Sequence, residues 1–322
     1  MMRILKRAGA IMLCFAALIA AAPFSVQAKA VTRSAIRVGS SSSPQHGPGM
    51  QSLGGAEIML LQNQTDSQMM SYIITTNTGE LIVVDGGLPE DAQHLSDIIK
   101  SKGGKVSAWL ITHPHSDHVG AITKLINEGL NGISVEGVYY KYMDMDWYIR
   151  NEAYRSQMVA DSAAAFAKLD PSVRHGEIKK GDVIEVGNAK IHVLNDPYQF
   201  TVNAINNSSV AYRIDINGKR ILFLGDMGPE AGESLKNELP PEELRADYVQ
   251  MAHHGQYGVN KDVYELIRPK VCMWNAPSWL WDNDNGAGKG SGTYLTLEVR
   301  AWMEELGVKS HYVIKDGDQT IK

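Results

Sequence analysis

The feature that most constrains this chain is a cluster of metal-ligating side chains directly after an apolar run. Residues 110–120 have the sequence LITHPHSDHVG, and the cluster consists of His113, His115, Asp117 and His118. The apolar run predicts a buried strand, and the pattern after the cluster predicts a helix. The cluster is therefore expected at the C-terminal end of a strand, where open α/β sheets commonly bind ligands.

The spacing within the cluster favours bound metal. His113 and His115 are two residues apart, so they project from the same face of an extended chain. Asp117 and His118 come where the chain turns, and they can point at a second position. Imidazole together with carboxylate suits zinc, and also manganese or iron. A polar loop that is merely rich in histidine is the alternative, but burying so many ionisable groups without a metal or partners would be costly.

The complete pattern H-x-H-x-D-H between a strand and a helix resembles the motif of the metallo-β-lactamase-fold hydrolases. The resemblance extends from about Gly54 to the C-terminus. It implies the α/β class, with a four-layer αββα sandwich and one active site at its edge. It also implies two divalent metal ions, with zinc favoured over manganese or iron.

Two further carboxylates match positions of this family. Asp85 follows the strand predicted at 81–84, and it is either a simple turn residue or a second-shell carboxylate that accepts an N–H from a ligand histidine. Relatives place an aspartate near the metals at this position. Asp226 follows the apolar residues 222–224 and Gly225. The resemblance implies that Asp226 bridges the two metals.

The middle of the chain lacks the histidine with which many relatives complete the first metal site. Residues 203–210 are NAINNSSV. This Asn-x-x-Ser pattern is similar to a branch that includes the hydrolase domain of the bacterial competence DNA-uptake channel and the choline-phosphate esterase of pneumococcal cell walls. By that match Asn206 stands in place of the histidine, although its amide oxygen is a weaker ligand than imidazole. A plain asparagine-rich loop is the alternative.

The fifth motif of the same branch matches His253, His254 and Gly255, after a strand predicted at 247–252. Alignment on the glycine favours His254 as the metal ligand. Strand alternation is expected to send His253 elsewhere, to contact the substrate or act as an acid. The resemblance thus implies a first metal held by His113, His115 and Asn206, and a second held by Asp117, His118 and His254, with Asp226 between them.

The first 28 residues predict a secretory signal peptide. Three cations precede the apolar segment 8–22, and residues 26–28 form a small-residue cleavage site. Cleavage after Ala30 and an uncleaved anchor are alternatives. A flexible linker is predicted over 29–53 and the hydrolase domain over 54–322. The protein is expected to be secreted or periplasmic, with no stable membrane span after cleavage.

The charge of the chain argues against nucleic acid as a partner. Removal of residues 1–28 takes away three cations and no acid from a net charge of −5. So acidic a protein is a poor candidate for broad binding to nucleic acid. Cys272, the cysteine that would remain, lies in an apolar run and is expected to be a small buried apolar group.

Two segments are candidates for the walls of the site. Six aromatic residues lie within 139–154, and they either pack into the core or form a lid over the metals. The long loop predicted at 277–293 is a candidate for the opposite wall. The sequence leaves both alternatives open.

The expected activity is metal-dependent hydrolysis, in which metal-bound hydroxide attacks a phosphodiester or a related ester. Asp117 or His253 would handle the proton. The expected substrate is a small-molecule or cell-envelope ester. The alternatives are a lactonase or β-lactamase that acts on a cyclic ester or amide, and a non-catalytic metal-binding envelope protein. The oligomeric state is not predicted.

Overall fold

Two β-sheets face each other at the centre of the structure, a computed structural model that describes residues 52–322. Helices cover the outer face of each sheet, so the predicted four-layer αββα sandwich is confirmed. The predicted signal peptide and nearly all of the predicted linker lie outside the described residues. Both stay predictions.

The first sheet contains eight strands and carries the H-x-H-x-D-H segment after one of its central strands. Its strands are β1 (Glu57–Leu60), β2 (Ser71–Thr75), β3 (Leu81–Asp85), β4 (Lys105–Leu110), β5 (Ser134–Val135), β6 (Val138–Tyr139), β7 (Arg174–His175) and β15 (Gln319–Ile321). Their order is β15-β1-β2-β3-β4-β6-β7, and β5 pairs with β4. Strands β1 to β3 are antiparallel, whereas β3, β4 and β6 are parallel.

The second sheet contains seven strands in the order in which the chain makes them. They are β8 (Val183–Val186), β9 (Ala189–Val193), β10 (Tyr212–Ile216), β11 (Lys219–Phe223), β12 (Tyr248–Gln250), β13 (Val271–Trp274) and β14 (Ser310–Val313). Strands β8 to β11 are antiparallel, and β11 to β14 are parallel. Each sheet therefore contains a parallel part whose carboxyl ends lie at one edge.

The helices and the strand residues divide the apolar core into layers. The helices are α1 (Ala92–Ser101), α2 (Ser116–Asn127), α3 (Met145–Glu152), α4 (Ser156–Phe166), α5 (Ala204–Asn207), α6 (Pro229–Glu238), α7 (Pro241–Leu244), α8 (Lys261–Ile267), α9 (Ser278–Trp281) and α10 (Thr296–Glu305). Strand side chains of both sheets form the central layer, where Tyr72 and Phe223 meet edge to face at 5.0 Å. Helices α1 and α2 pack on the first sheet, and α6, α8 and α10 on the second.

Helix α2 approaches the segment before α1 so closely that only glycine fits at the contact. A Cβ atom built on Gly120 would lie 2.4 Å from Cδ of Pro89. Backbone hydrogen bonding holds the same contact, because the N–H of Ala121 donates to the carbonyl oxygen of Gly87. This close packing fixes the position of the helix that comes after the histidine cluster.

The aromatic segment divides between the two predicted roles. Trp147 and Tyr148 are buried and pack against Val159 and Ile205, which links α3 and α4 to α5. Tyr154 is 79% exposed and lines the cavity beside the histidine cluster. The first pair is therefore core, and only Tyr154 takes the position of a wall.

Several elements differ from the predictions, and one of them is α9, which lies within the loop predicted at 277–293. The strand predicted at 247–252 ends at Gln250, and a tight turn comes next at Ala252–Gly255. Helix α6 was not predicted from the sequence. Within residues 52–322, no helix combines the length and the apolar character needed to cross a membrane. Cys272 is buried, as predicted.

Candidate metal centre

The predicted ligands converge because they come after parallel strands that end at a common edge of the sandwich. His115 lies directly before α2, in the short connection that begins where β4 ends at Leu110. Asp226 comes after β11, and the two histidines at 253 and 254 come after β12. The carboxyl ends of these strands bring residues more than a hundred positions apart into one cluster.

Gly225 permits the close approach of the two sheets at this edge. Its φ is +58°, a conformation that L side chains rarely adopt. A Cβ atom at this position would lie 2.8 Å from Cβ of Thr112. The N–H of the next residue, Asp226, donates to Oγ of Ser209 at 3.2 Å. Glycine is therefore needed for Asp226 to reach the histidines of the other sheet.

A first group of ligand atoms consists of His113, His115 and Asp226. Nε2 of His113 lies 3.1 Å from Nδ1 of His115 and 3.8 Å from Oδ2 of Asp226. A tetrahedral zinc ion with ligands at about 2.0–2.1 Å separates them by about 3.3 Å. The first group thus has a spacing that suits one ion.

A second group consists of Asp117, His118, Asp226 and His254. Nε2 of His254 lies 3.2 Å from Oδ2 of Asp117 and 3.4 Å from Oδ2 of Asp226. Nε2 of His118 lies 3.3 Å from the same oxygen of Asp226 and 4.0 Å from Oδ2 of Asp117. Asp226 belongs to both groups, so one carboxylate lies between two candidate metal positions.

Asp85 contacts His118 through Nδ1, the ring nitrogen that does not face Asp226. Its Oδ2 lies 2.7 Å from Nδ1 of His118, and its two oxygens also accept from the backbone N–H and the hydroxyl of Thr112 at 2.8 and 2.7 Å. An N–H on Nδ1 of His118 leaves Nε2 with a lone pair that faces Asp226. Of the two alternatives for Asp85, this contact matches a carboxylate that accepts an N–H from a ligand histidine and not a simple turn residue.

Both histidines of the 253–254 pair face the cluster, which strand alternation does not predict. Their φ angles are +51° and +55°, so neither has strand geometry and the two side chains do not point to opposite faces. Nε2 of His253 lies 3.8 Å from Oδ2 of Asp226, compared with 3.4 Å for His254. Strand alternation therefore does not apply to this pair, and His253 lies beside the ligands. His253 also lines the cavity, so its contact with substrate stays a prediction.

Asn206 lies on α5 at the same cavity, where its side chain is buried. Its Nδ2 lies 3.2 Å from Nε2 of His253. Its Oδ1 is buried and has no hydrogen-bond partner among the described residues. The structure therefore places Asn206 beside the predicted ligands and does not form a plain polar loop there.

The buried polar atoms that lack hydrogen-bond partners give a test of whether metal fits this centre. Within residues 52–322 they include Nε2 of His118, Nε2 of His254, Oδ1 of Asp226 and Oδ1 of Asn206. Buried polar atoms without partners are costly, and these four are nitrogen and oxygen donors from predicted ligands. Together with the ligand spacing, they show that the residues fit divalent metal.

The electrostatics of the second group favour added positive charge. Burial opposes ionisation of Asp117 and Asp226, but the imidazoles of His118 and His254 together outweigh it and hold the pKa of each carboxyl below its usual range. Burial lowers the pKa of His254, but Asp226 and Asp117 reverse this and raise its pKa to about 9. Two ionised carboxylates here attract protons onto imidazole, and a divalent cation can replace those protons.

The histidines of the first group are neutral donors. Burial, together with repulsion from His118, holds the pKa of His113 well below its usual value. Burial also lowers the pKa of His115 to about 3. Neutral imidazole is the form that binds metal, so this group needs no deprotonation before it can do so.

A cavity of about 350 Å³ opens onto the two groups. Its lining is mostly polar and consists of Gln68, His115, Ser116, Asp117, Tyr154, Arg155, Met158, Asn203, Asn206, Asp226, His253, Gln256 and Tyr294. Among these described residues, Arg155 is the one lysine or arginine, and its Nη1 lies 2.8 Å from Nε2 of His115. Tyr294 also contributes to the lining, but it comes directly after the loop predicted at 277–293, and no residue of that loop is among these lining residues.

Sequence reasoning missed two residues at this centre. Arg155 lies directly after the aromatic segment, between α3 and α4, where no spacing distinguishes it from a surface cation. The carbonyl oxygen of Asn275 lies 3.2 Å from Nδ1 of His254, so it fixes that ring much as Asp85 fixes His118. A backbone acceptor leaves no signal in the sequence.

Comparison with known proteins agrees with this geometry. A model of the metallo-beta-lactamase superfamily matches residues 65–267, which is more than half of the chain. The chain therefore belongs to the metallo-beta-lactamase superfamily. The matched range contains every residue of the two ligand groups, from His113 to His254.

Two curated relatives are similar over shorter stretches. ComE operon protein 3 of Bacillus subtilis (strain 168) is 24% identical over 184 residues, which is 56% of this chain and 21% of that protein. An uncharacterized protein of Aquifex aeolicus (strain VF5) is 30% identical over 127 residues, or 39% of this chain and 53% of the relative. The chain thus spans about a fifth and about half of these relatives.

Among solved structures, the metallo-beta-lactamase fold protein YhfI from Bacillus subtilis is similar, with a TM-score of 0.52 and 11% identity. The similarity covers 82% of this chain and 99% of that one. These findings confirm the predicted superfamily and fold. The match to ComE operon protein 3 supports the branch that the motifs indicate.

Proposed function

We propose that this protein is a hydrolase that uses two divalent metal ions to cleave a phosphodiester or a related ester. Zinc is the metal that we propose in preference to manganese or iron. The observation that carries the proposal is the position of Asp226, whose Oδ2 lies within 3.8 Å of nitrogen atoms in both ligand groups. One carboxylate between two metal positions is the arrangement of two-metal hydrolytic sites.

The residues of this chain would hold the ions in two positions with different ligand types. His113, His115 and Asn206 would hold the first ion, and Asp117, His118 and His254 the second, with Asp226 shared. Two such ions activate water and polarise the ester oxygen when they are bound. Asp85 and the carbonyl oxygen of Asn275 keep the rings of His118 and His254 in the tautomer that presents Nε2 to the cluster.

The cavity supports an anionic, polar substrate. Arg155 brings a cation to a cavity whose lining is otherwise dominated by amides, hydroxyls and the ligand groups themselves. If Nδ1 of His115 holds metal, its Nε2 carries the proton and no longer accepts from Arg155. The guanidinium is then available to pair with a non-bridging phosphoryl oxygen.

Asp117 is the residue that we propose for proton transfer. The sequence left this role to Asp117 or His253. Both ring nitrogens of His253 already take part in hydrogen bonds, with Tyr257 and Asn206. Asp117 lines the cavity and has a carboxylate oxygen that faces the second group. It can accept a proton from water or pass one to the leaving oxygen.

The proposed substrate is a small-molecule or cell-envelope ester outside the cytoplasm. This location rests on the predicted signal peptide, and the polar cavity of about 350 Å³ suits a small substrate. The negative charge of the chain argues against nucleic acid. A choline-phosphate diester is a substrate to try first, because the motif branch includes a choline-phosphate esterase.

The test is hydrolysis of a nitrophenyl phosphodiester, with its choline-phosphate form beside it, by the zinc-loaded protein. Chelation should abolish turnover, zinc or manganese should restore it, and Asp226→Ala should remove it. Turnover that persists in the stripped protein would refute the proposal. A chromogenic cephalosporin run in parallel separates the alternative, because turnover of that substrate alone would place the enzyme among lactonases and β-lactamases. Two bound ions with no turnover of any ester would favour a non-catalytic metal-binding protein.

A further inference from the structure

The hydrogen bonds around His253 fix which of its ring nitrogens carries the proton. Nδ1 lies 3.1 Å from the carbonyl oxygen of Tyr257. A carbonyl oxygen only accepts, so the hydrogen is on Nδ1 and Nε2 holds a lone pair. The atom that faces this lone pair is Nδ2 of Asn206, at 3.2 Å. Asn206 therefore donates to His253.

This donation decides which end of the Asn206 amide faces the ring. The opposite orientation would place Oδ1 against the lone pair of Nε2, and the two acceptors would repel each other. With Nδ2 committed to His253, Oδ1 is the end left over. It is buried, and no residue among 52–322 satisfies it.

Predicted metal ligands also have buried atoms without partners, namely Nε2 of His118, Nε2 of His254 and Oδ1 of Asp226. Asn206 lines the same cavity as Asp226. The first ligand group has two imidazoles and a shared carboxylate, one donor fewer than the second. An amide oxygen at Asn206 would make the two groups equal in number.

We propose that His253 is a positioning residue, which turns the Asn206 amide so that its Oδ1 serves as a ligand in the first metal position. The inference rests on the proposed two-metal function. It gives His253 a role different from the acid that the sequence suggested. The left-handed backbone at 253 and 254 is what allows adjacent histidines to serve the two positions, one directly and the other through Asn206.

His253 itself could instead be the missing ligand, since its Nε2 lies 3.8 Å from Oδ2 of Asp226. That role would break its bond with Asn206 and leave the amide nitrogen buried without a partner. The two possibilities make opposite predictions when Asn206 is replaced by a residue with no amide nitrogen. A carboxylate at 206 needs no donor contact to direct an oxygen.

The experiment measures zinc binding to the full chain by equilibrium dialysis with metal analysis, and cobalt(II) binding by visible absorption. His253→Leu and His253→Gln are matched in size, but only glutamine keeps an acceptor for the Asn206 amide. His253→Leu should lower the zinc affinity of one of the two metal positions by about 10–100-fold and change the cobalt spectrum. His253→Gln should retain most of the affinity. His192→Ala, at a half-buried histidine away from the cluster, is the control.

The decisive comparison measures the effect of His253→Leu in a protein that already carries Asn206→Asp. In that background we expect His253→Leu to change zinc affinity by less than about threefold, because the contact between His253 and the Asn206 amide no longer exists there. The same loss in both backgrounds would overturn the inference and make His253 a direct ligand. No loss in the native background would also overturn it. Two-ion binding with this pattern, but without diester turnover, would refute the proposed function and leave the inference intact.

Discussion

Nδ1 of His118 lies 2.7 Å from Oδ2 of Asp85, and both side chains are completely buried. The carboxylate accepts a hydrogen bond from Nδ1–H, which leaves the lone pair of Nε2 to face Asp226. In Asp85→Asn, an amide N–H directed at His118 would favour the other tautomer, with its proton on Nε2. We expect zinc affinity at the second position to fall by about 10–100-fold, measured by competition with a chromogenic chelator.

Asp91→Asn is the control for this substitution. Asp91 is also a buried carboxylate that accepts backbone N–H groups, from Gln64 and Leu88, but it lies outside the ligand groups. It should alter stability without altering zinc affinity. Unchanged zinc binding in Asp85→Asn would contradict a tautomer-fixing role for Asp85.

Arg155 should matter for anionic substrates and not for neutral ones. Arg155→Met removes the guanidinium and keeps much of the apolar side chain. We expect kcat/KM for the nitrophenyl phosphodiester to fall by about 10–100-fold, in line with about 1.5–3 kcal/mol for hydrogen bonds to a charged group. A neutral ester with the same leaving group should change far less. Arg150→Met, an exposed cation on α3, is the matched control. Equal losses on both substrates would assign Arg155 to structure and not to substrate binding.

Gly120 should tolerate no larger residue. A Cβ atom there would lie 2.4 Å from Cδ of Pro89, so Gly120→Ala forces α2 away from the segment before α1. We expect a loss of about 1–3 kcal/mol in the free energy of unfolding, measured by urea denaturation. Lys124→Ala, at an exposed position of the same helix, should stay within about 0.5 kcal/mol. If Gly120→Ala is as stable as the unchanged protein, the contact between α2 and Pro89 can relax.

The stability of the metal-stripped protein should fall as the pH rises. The pKa of His254 is raised to about 9 by Asp226 and Asp117 against the effect of burial, compared with an ordinary value of 6.5. The folded chain therefore binds more protons than the unfolded chain between these values. The contribution is fully present below about pH 6.5 and is lost as the pH passes through about 9. Urea unfolding at about pH 6 and about pH 9 measures it.

Zinc should remove most of this pH dependence, because the metal takes the place of the imidazole proton. The same exchange predicts proton release on zinc binding at about pH 7. Titration calorimetry in buffers of different ionisation enthalpy detects the released protons. An identical loss of stability with and without zinc would contradict the assignment of His254 to the metal centre.

Much of the fold was predictable because its signals are local. Alternating or continuous apolar runs predicted most strands of both sheets, and turns such as Asn217-Gly218 marked the hairpins. The short strands β5 to β7 and helix α6 were missed, since two-residue strands and a polar helix carry little periodicity. The close contact at Gly120 was invisible, because it depends on Pro89, in a distant part of the sequence.

The sequence by itself determined most of the strands, because hydrophobic periodicity sets them and parallel strands deliver the residues after them to a common edge. Its motifs, through their resemblance to the metallo-β-lactamase-fold hydrolases, also indicated the two-sheet α/β sandwich and the residues that the structure brings together at one edge, from His113 to His254. Only the tertiary structure decided that His253 faces the cluster, since its left-handed backbone overrides strand alternation. It also decided that Asp85 meets His118 and that Arg155 reaches His115, because these contacts join segments whose separation in the chain leaves no local pattern.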